Sequence, residues 1–239
     1  MSDGPRGVSA GPGPVAGETP IVVMVGAPGA GKGTQTVRLA ERLGVPSVST
    51  GDLFRAALRD GTALGEHVRP YLERGQLVPD GVTIDVIAAR LAEPDAVQGV
   101  ILDGFPRTRT QAEALDLLAG RLGFRVTAAL YVAVETDELV RRLSGRLVCT
   151  GGGHHIYHVT QRPPRVEGRC DIDGTGLETR VDDRPETIRQ RLERQLPPMF
   201  EVVDHYAGTG VLRSVRGDRP VDEVTEDLLR SIRTRASAA

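Results

Sequence analysis

Ile21-Val22-Val23-Met24-Val25-Gly26-Ala27-Pro28-Gly29-Ala30-Gly31-Lys32-Gly33-Thr34 is the stretch that decides the fold. Its first five residues are apolar without a break, as in a short strand covered on both faces. A glycine-rich turn follows directly. From Lys32 to Leu43 the apolar positions Val37, Leu39, Ala40 and Leu43 take helical spacing. Strand, Gly-Lys turn and helix in that order are the setting in which a phosphate loop works. Glycines let consecutive backbone N–H groups turn inward around phosphate oxygens, and the helix N-terminus adds its positive end. Lys32 adds a point charge for β- and γ-phosphates. It is the one lysine in the chain; the other 29 basic residues are arginine. A compact ammonium kept at this place alone points to chemistry that a planar guanidinium does not serve. The commonest form of the loop has Ser or Thr after the lysine, as a direct magnesium ligand. Here Gly33 stands there and Thr34 follows. That counts against GTPase switches and motor ATPases, and leaves Mg²⁺ held by phosphates and water.

Outward from the loop, further buried-strand signals fall at Val100–Leu102, just before Asp103-Gly104, at Ala128–Val134 and at Val211–Val215. Helical patterns lie between and after them, at 83–91, 110–122, 136–143, 185 to about 206, and 221–232. Alternation of this kind predicts an α/β chain of the P-loop NTPase fold, a parallel sheet flanked by helices. Two stretches break the rhythm. Residues 49–78 read as short helices with no strand between them. Residues 145–181 hold seven Gly, Pro163-Pro164, both cysteines and three of the five histidines, too long for a plain loop and read as a small inserted subdomain of short strands. The core is then 21–48, 79–144 and 182–239. Residues 1–20, with five Gly and four Pro, read as a disordered tail, order beginning at Ile21.

The 239 residues carry 30 Lys+Arg against 32 Asp+Glu, a formal net charge of −2. That gives no electrostatic footprint for nucleic acid or an anionic membrane. The longest apolar run, Ala128–Val134, is seven residues, far short of the roughly 20 that cross a bilayer. Two cysteines exclude a disulfide scaffold and fit a reducing compartment. No secretory signal is visible at the start. The expectation is a cytoplasmic protein with small-molecule substrates, and a monomer, since nothing marks an obligate interface.

Four motifs together resemble the adenylate kinases. Gly26 to Gln35 is similar to their phosphate loop, and Ser49-Thr50-Gly51-Asp52-Leu53-Phe54-Arg55 to a second family stretch. Asp103-Gly104-Phe105-Pro106-Arg107-Thr108, followed by Gln111, looks like the family's Asp-Gly-Phe-Pro-Arg signature. Gly145-Arg146 and Arg180-Val181-Asp182-Asp183 frame a segment resembling its long lid. The resemblance covers residues 21 to about 220. It implies transfer of the γ-phosphoryl of ATP to AMP, giving two ADP, with Mg²⁺, an AMP-binding insert at 49–78 and a lid at 145–181. Carried over residue by residue, Thr50, Arg55, Gln76, Leu77, Val78, Gly104, Phe105, Pro106, Arg107 and Gln111 would contact AMP. Gly29, Ala30, Gly31, Lys32, Gly33, Thr34, Arg142, Arg146, Ile156 and Tyr157 would contact ATP, with Arg219 of Gly217-Asp218-Arg219 near its adenine. Arg180 and Arg191 would bridge the phosphates, and Asp103 would orient the water shell of Mg²⁺. The same fold with UMP or CMP as acceptor, or GTP as donor, is the near alternative. A non-catalytic nucleotide-sensing module is the distant one.

These residue types suit that chemistry without the family name. A phosphate acceptor is already anionic near neutral pH, its second pKa being about 6, and needs no general base. The work is to bring two polyanions together and stabilise the transferring charge, for which guanidiniums are well shaped. Arg142 and Arg146 are four apart and share one face if their helix persists. Arg109, Arg141 and Arg189 read as solvated faces, His67 and His205 as surface or packing residues. Asp182-Asp183 either cap the following helix or pair with arginines at the hinge.

In the lid, Cys149, Cys170 and Asp173 resemble three of the four positions where some family members bind structural zinc. The partner of Cys149 is missing, and His155, ahead of His154, is the expected substitute, giving Cys149, His155, Cys170 and Asp173 as a donor set acceptable to zinc. A lid held by hydrogen bonds without metal is the alternative. A Cys149–Cys170 disulfide is disfavoured in a reducing compartment.

Overall fold

The computed structural model describes residues 18–151 and 155–233. In chain order the elements are β1 (Thr19–Val25), α1 (Lys32–Leu43), β2 (Ser47–Ser49), α2 (Thr50–Arg59), α3 (Ala63–Glu73), α4 (Asp80–Leu91), β3 (Val100–Asp103), α5 (Arg109–Leu122), β4 (Phe124–Ala133), α6 (Thr136–Ser144), β5 (Arg146–Cys149), β6 (Ile156–His158), β7 (Leu177–Glu178), α7 (Pro185–Gly208), β8 (Leu212–Arg216) and α8 (Val221–Arg233). Five strands form one sheet in the order β2-β3-β1-β4-β8, every pair parallel. β1 lies at its centre, and Ile21, Val23 and Met24 are fully buried there. Helices cover both faces, as the continuous apolar runs required.

Three differences from the expectation concern the main sheet most. β1 begins at Thr19, not Ile21: the Thr19 N–H donates to Gly123 O at 2.9 Å, and Thr19 stands opposite Phe124. The rest of the expected tail, residues 1–17, lies outside the described residues. β4 begins at Phe124 rather than Ala128, because its first half is covered on one face only and alternates Phe124, Val126 and Ala128 with Arg125 and Thr127. β2 was not expected at all. It is a three-residue edge strand with one buried side chain, Val48, which pairs with Leu102.

Two segments carry small cores of their own. Phe54, Val68 and Val78 cluster beneath α2 and α3. These helices cross so closely that a Cβ on Gly65 would fall 2.2 Å from Ala57 O. Cys149, Tyr157 and Cys170 cluster inside an antiparallel sheet of order β6-β5-β7. The first segment follows directly on the carboxyl end of β2, where open α/β sheets bind ligands, and the second follows α6. Among the described residues no helix is long and apolar enough to cross a membrane.

Candidate active site

The loop between β1 and α1 is built on left-handed glycines. Gly29 has φ +85°, and a Cβ there would lie 2.9 Å from Leu143 Cγ on α6. Only glycine lets the loop sit that close under α6. Lys32 Nζ donates to Gly26 O at 2.8 Å and Ala27 O at 3.0 Å, which leaves one of its three N–H groups for a ligand. Burial lowers its pKa to about 8, with Asp103 opposing and Arg107, Arg191 and Arg146 adding to the fall. Asp103 ends β3, and its Oδ2 lies 3.5 Å from where a Cβ on Gly33 would stand. The carboxylate thus faces the position where other phosphate loops carry a hydroxyl.

On the other side of β3, Ser49 ends β2 and caps α2, its Oγ accepting from Asp52 N at 3.3 Å. Strand passes to helix without a loop, and this aims Thr50 and Arg55 at the site. Gly104 O accepts from Thr50 Oγ1 at 2.8 Å and from Arg107 Nε at 2.8 Å. Gly104 has φ +75°, and a Cβ would meet Arg107 Nη2 at 2.8 Å and Thr50 Oγ1 at 2.9 Å. A side chain there would push both groups away.

Two cavities open beside these residues. One, of about 490 Å³, is lined by Thr50, Arg55, Gln76, Leu77, Val78, Gly104, Arg107, Gln111 and Arg191 among others. The second, of about 440 Å³, lies at the loop and is lined by Gly26, Lys32, Pro106, Arg107, Arg191 and Met199 among others. Leu77, Gly104, Arg107, Arg191 and Gln195 line both. Phe105 does not reach either wall. Its side chain is fully buried in the main core, so its place in the motif is one of packing.

The arginines are held by two buried carboxylates. Asp183 accepts from Arg146 Nε at 2.6 Å, Arg146 Nη2 at 2.8 Å and Arg191 Nη1 at 2.9 Å. Asp182 pairs with Arg191 at 2.9 Å and Arg180 at 3.2 Å. Burial alone would raise the Asp182 carboxyl; Arg191, Arg180, Arg55 and Arg146 outweigh it and hold it well below the usual carboxylate range. Burial, and then Arg180, push the Arg146 guanidinium down to about 10. Of the two roles expected for Asp182-Asp183, the hinge pairing is the one seen.

Arg142 and Arg146 do not share a helix face. α6 ends at Ser144, Gly145 turns the chain, and Arg146 opens β5. A Cβ on Gly145 would lie 2.4 Å from the His158 ring, so the turn there takes a glycine. Arg142 instead donates to Glu138 Oε1 at 2.6 Å and Gly217 O at 2.9 Å. The Gly217 N–H in turn donates to Ala133 O at 2.8 Å, so the 217–219 stretch is pinned beside α6. Arg219 turns away toward Asp227 on α8. Ile156 is half-buried in β6. Tyr157 is 2% exposed and its side chain faces the lid interior, its hydroxyl accepting from Asp171 N at 2.8 Å.

In the lid, one donor atom each from Cys149, His155, Cys170 and Asp173 lies within 4.8 Å of the other three. Cys149 Sγ is 3.1 Å from Asp173 Oδ2, His155 Nδ1 is 3.2 Å from the same oxygen, and Cys170 Sγ is 3.3 Å from His155 Nδ1. Tetrahedral zinc, with bonds of about 2.0–2.3 Å, sets its ligands roughly 3–4 Å apart, so the set fits. Asp173 Oδ1 is held by Thr175 N at 3.0 Å and Thr175 Oγ1 at 2.7 Å, which aims Oδ2 inward. Both cysteines are free thiols. His154 lies outside the described residues.

A family model described as adenylate kinase matches residues 24–211. Proteins named adenylate kinase from Exiguobacterium sibiricum and Lysinibacillus sphaericus are each 46% identical over 207 residues, 87% of this chain and 96% and 95% of theirs. One from Streptomyces coelicolor is 46% identical over 212 residues, 89% of this chain and 98% of its own. The chain belongs to the adenylate kinase family. Membership does not favour a different acceptor, a GTP donor or a non-catalytic sensor. An adenylate kinase works with Mg²⁺ on its ATP, and the environment of Asp103 and Gly33 suits a cation held mainly by phosphate and water.

Sequence reasoning missed several wall residues, Gln195, Thr83, Leu72, Gly75 and Met199 among them. Gln195 follows Arg191 by four on α7, and that spacing was the available signal. Its Oε1 accepts from Arg107 Nη1 at 3.2 Å and its Nε2 donates to Gly75 O at 2.9 Å, tying the arginine to the end of the α2–α3 segment. Gln35, part of the loop motif, turns out to hold α8: Nε2 donates to Val221 O at 3.0 Å and Oε1 accepts from Thr225 Oγ1 at 2.7 Å.

Proposed function

We propose that the cavity lined by Thr50, Arg55 and Gln111 takes AMP, that Gly29–Thr34 take the phosphates of ATP, and that the arginines between them carry the transferring phosphoryl. The reaction is transfer of the γ-phosphoryl of ATP to AMP, making ADP. The observation that carries the residue assignment is the shared wall. Arg107 and Arg191 line both cavities, with Lys32 on one side and Arg55 on the other.

An AMP phosphate oxygen attacks the γ-phosphorus in line. The new O–P bond forms as the bond from γ-phosphorus to the β,γ-bridging oxygen breaks, and both products leave as ADP. No proton need be removed, because the attacking phosphate is already ionised above about pH 6. Thr50, Arg55, Gln76, Leu77, Val78, Gly104 and Gln111 position AMP, while Pro106, expected with them, lines the loop-side cavity. Loop N–H groups and Lys32 hold the β- and γ-phosphates. Arg142 and the backbone of Ile156 and Tyr157 flank ATP, and Arg219 reaches its base on leaving Asp227. Arg107, Arg146, Arg180 and Arg191 meet the charge of the transferring group, and this positioning and electrostatics are the catalysis. Mg²⁺ bound with ATP would neutralise phosphate charge, and Asp103, facing Gly33, would orient its water. Zinc at Cys149, His155, Cys170 and Asp173 would cross-link the lid and take no part in transfer.

The two inserted segments, 49–78 and 145–181, close over the nucleotides and keep water from the γ-phosphoryl. The chain acts as a cytoplasmic monomer. Lys32→Ala tests the central role: phosphoryl transfer falls about 10²–10³-fold, the scale for one lost electrostatic donor, while the variant stays folded. Unchanged turnover in a folded variant rejects the assignment.

A further inference from the structure

Asp80 is the first residue of α4 and lines neither cavity. Its two carboxylate oxygens each hold a donor from the start of α5. Oδ1 accepts from Gln111 Nε2 at 2.7 Å, and Oδ2 accepts from Thr108 Oγ1 at 3.1 Å. At the far end of the same amide, Gln111 Oε1 accepts from the Arg107 backbone N–H at 2.7 Å. Gln111 is 1% exposed and stands on the wall of the cavity that Thr50 and Arg55 line.

A carboxylate only accepts and a backbone N–H only donates. Between them, the Gln111 amide can stand only one way round. Thr108 is fixed by the same logic. Its O–H donates to Asp80, so its lone pair is left to accept from Gln111 N at 3.1 Å and cap α5.

Each end of the amide keeps one unused group, a second N–H on Nε2 and a second lone pair on Oε1. Side by side, they match a base edge that offers an acceptor next to a donor. A 6-aminopurine has that edge, with N1 as acceptor and the 6-amino group as donor. A 6-oxopurine reverses both. An amide free to turn over would serve either base; one held by a carboxylate serves the first.

We propose that Asp80 is a positioning residue that sets acceptor selection, 6-aminopurine over 6-oxopurine, by fixing the polarity of the Gln111 amide. The proposal rests on the cavity lined by Thr50, Arg55 and Gln111 being the AMP site.

The test compares kcat/KM for AMP and IMP, with ATP as donor, in four proteins: the native chain, Asp80→Asn, Asp80→Glu and Gln111→Leu. Asp80→Asn replaces an acceptor-only group by one that presents either polarity. The AMP/IMP ratio then falls about tenfold, the size of one charge-assisted hydrogen bond. KM for AMP rises and KM for ATP does not move. Asp80→Glu, still acceptor-only, keeps most of the ratio, and carries the test if Asp80→Asn does not fold. Gln111→Leu lowers the ratio by itself, and Asp80→Asn added to it lowers the ratio no further. A folded Asp80→Asn with an unchanged ratio overturns the proposal, as does an undiminished effect in the Gln111→Leu background. If Gln111→Leu leaves the ratio unchanged, the AMP-site assignment is what has failed, and the role of Asp80 falls with it.

Discussion

Removing the charge of Asp183 tests how the arginine cluster is held. The Asp183 carboxylate is wholly buried and takes three guanidinium N–H groups, two from Arg146 and one from Arg191. Six cationic groups (Lys32, Arg55, Arg107, Arg146, Arg180 and Arg191) stand against four carboxylates, Asp52, Asp103, Asp182 and Asp183. Asp183→Asn keeps the shape and some hydrogen bonding but leaves Arg146 with no counter-ion in contact. Breaking a buried pair by deleting one partner costs about 3–5 kcal/mol. Because the amide still accepts, the low end applies, about 3 kcal/mol, which for a chain of this size lowers Tm by roughly 6–12 °C. The second arm is the sharper one. A polyanion can take the place of the lost carboxylate, so inorganic tripolyphosphate should raise Tm of the variant more than that of the native chain. Thermal unfolding with and without tripolyphosphate reads both. A fall below about 1 kcal/mol, or an equal anion response in the two proteins, would refute the reasoning.

Three further outcomes follow from the same geometry. The Lys32 pKa near 8 predicts an alkaline limb in kcat/KM at about that pH, and a higher limb in kcat, because bound phosphates favour the ammonium. Since folding lowers this pKa from 10.5, the buried ammonium costs stability below about pH 8 and the cost fades as pH rises towards 10.5, so Lys32→Ala should be no less stable than the native chain at pH 7. Elemental mass spectrometry on untagged protein, purified without added zinc or chelator, should find about one zinc per chain, and a chelator should unfold the lid before the core; no zinc would mean a lid held by hydrogen bonds alone. Gln195→Leu frees Arg107 from Gly75 and should raise KM for AMP about tenfold, the loss of one hydrogen bond to a guanidinium and one neutral one; an unchanged KM for AMP in a folded variant would remove Gln195 from the positioning of Arg107.

Legibility in the sequence followed the physics of each element. β1 and its loop were plain because a doubly covered strand is an unbroken apolar run and the turn demands glycines. β2 was invisible because an edge strand of Ser-Val-Ser buries one side chain. The early half of β4 was hidden by one-sided cover, which puts Arg125 and Thr127 between its apolar residues. At the candidate site, the expected Arg107 and Arg191 stand together on the wall between the two cavities. Phe105 and Tyr157 were expected at the site too but bury their rings in the main core and the lid core, a distinction that sequence position does not carry. Arg142 and Arg146 were separated by the end of α6 at Ser144 and a turn at Gly145, which packs closely against His158, 13 residues on. Asp80 and Gln195 act by holding other side chains, and no local pattern marks a residue whose partners are brought to it by the fold.

The most direct measurement is phosphoryl transfer from ATP to AMP, UMP, CMP and GMP, each product separated and quantified. ADP formed from AMP, with kcat/KM for AMP exceeding that for every other acceptor, is the predicted result. UMP or CMP used in preference to AMP would contradict it.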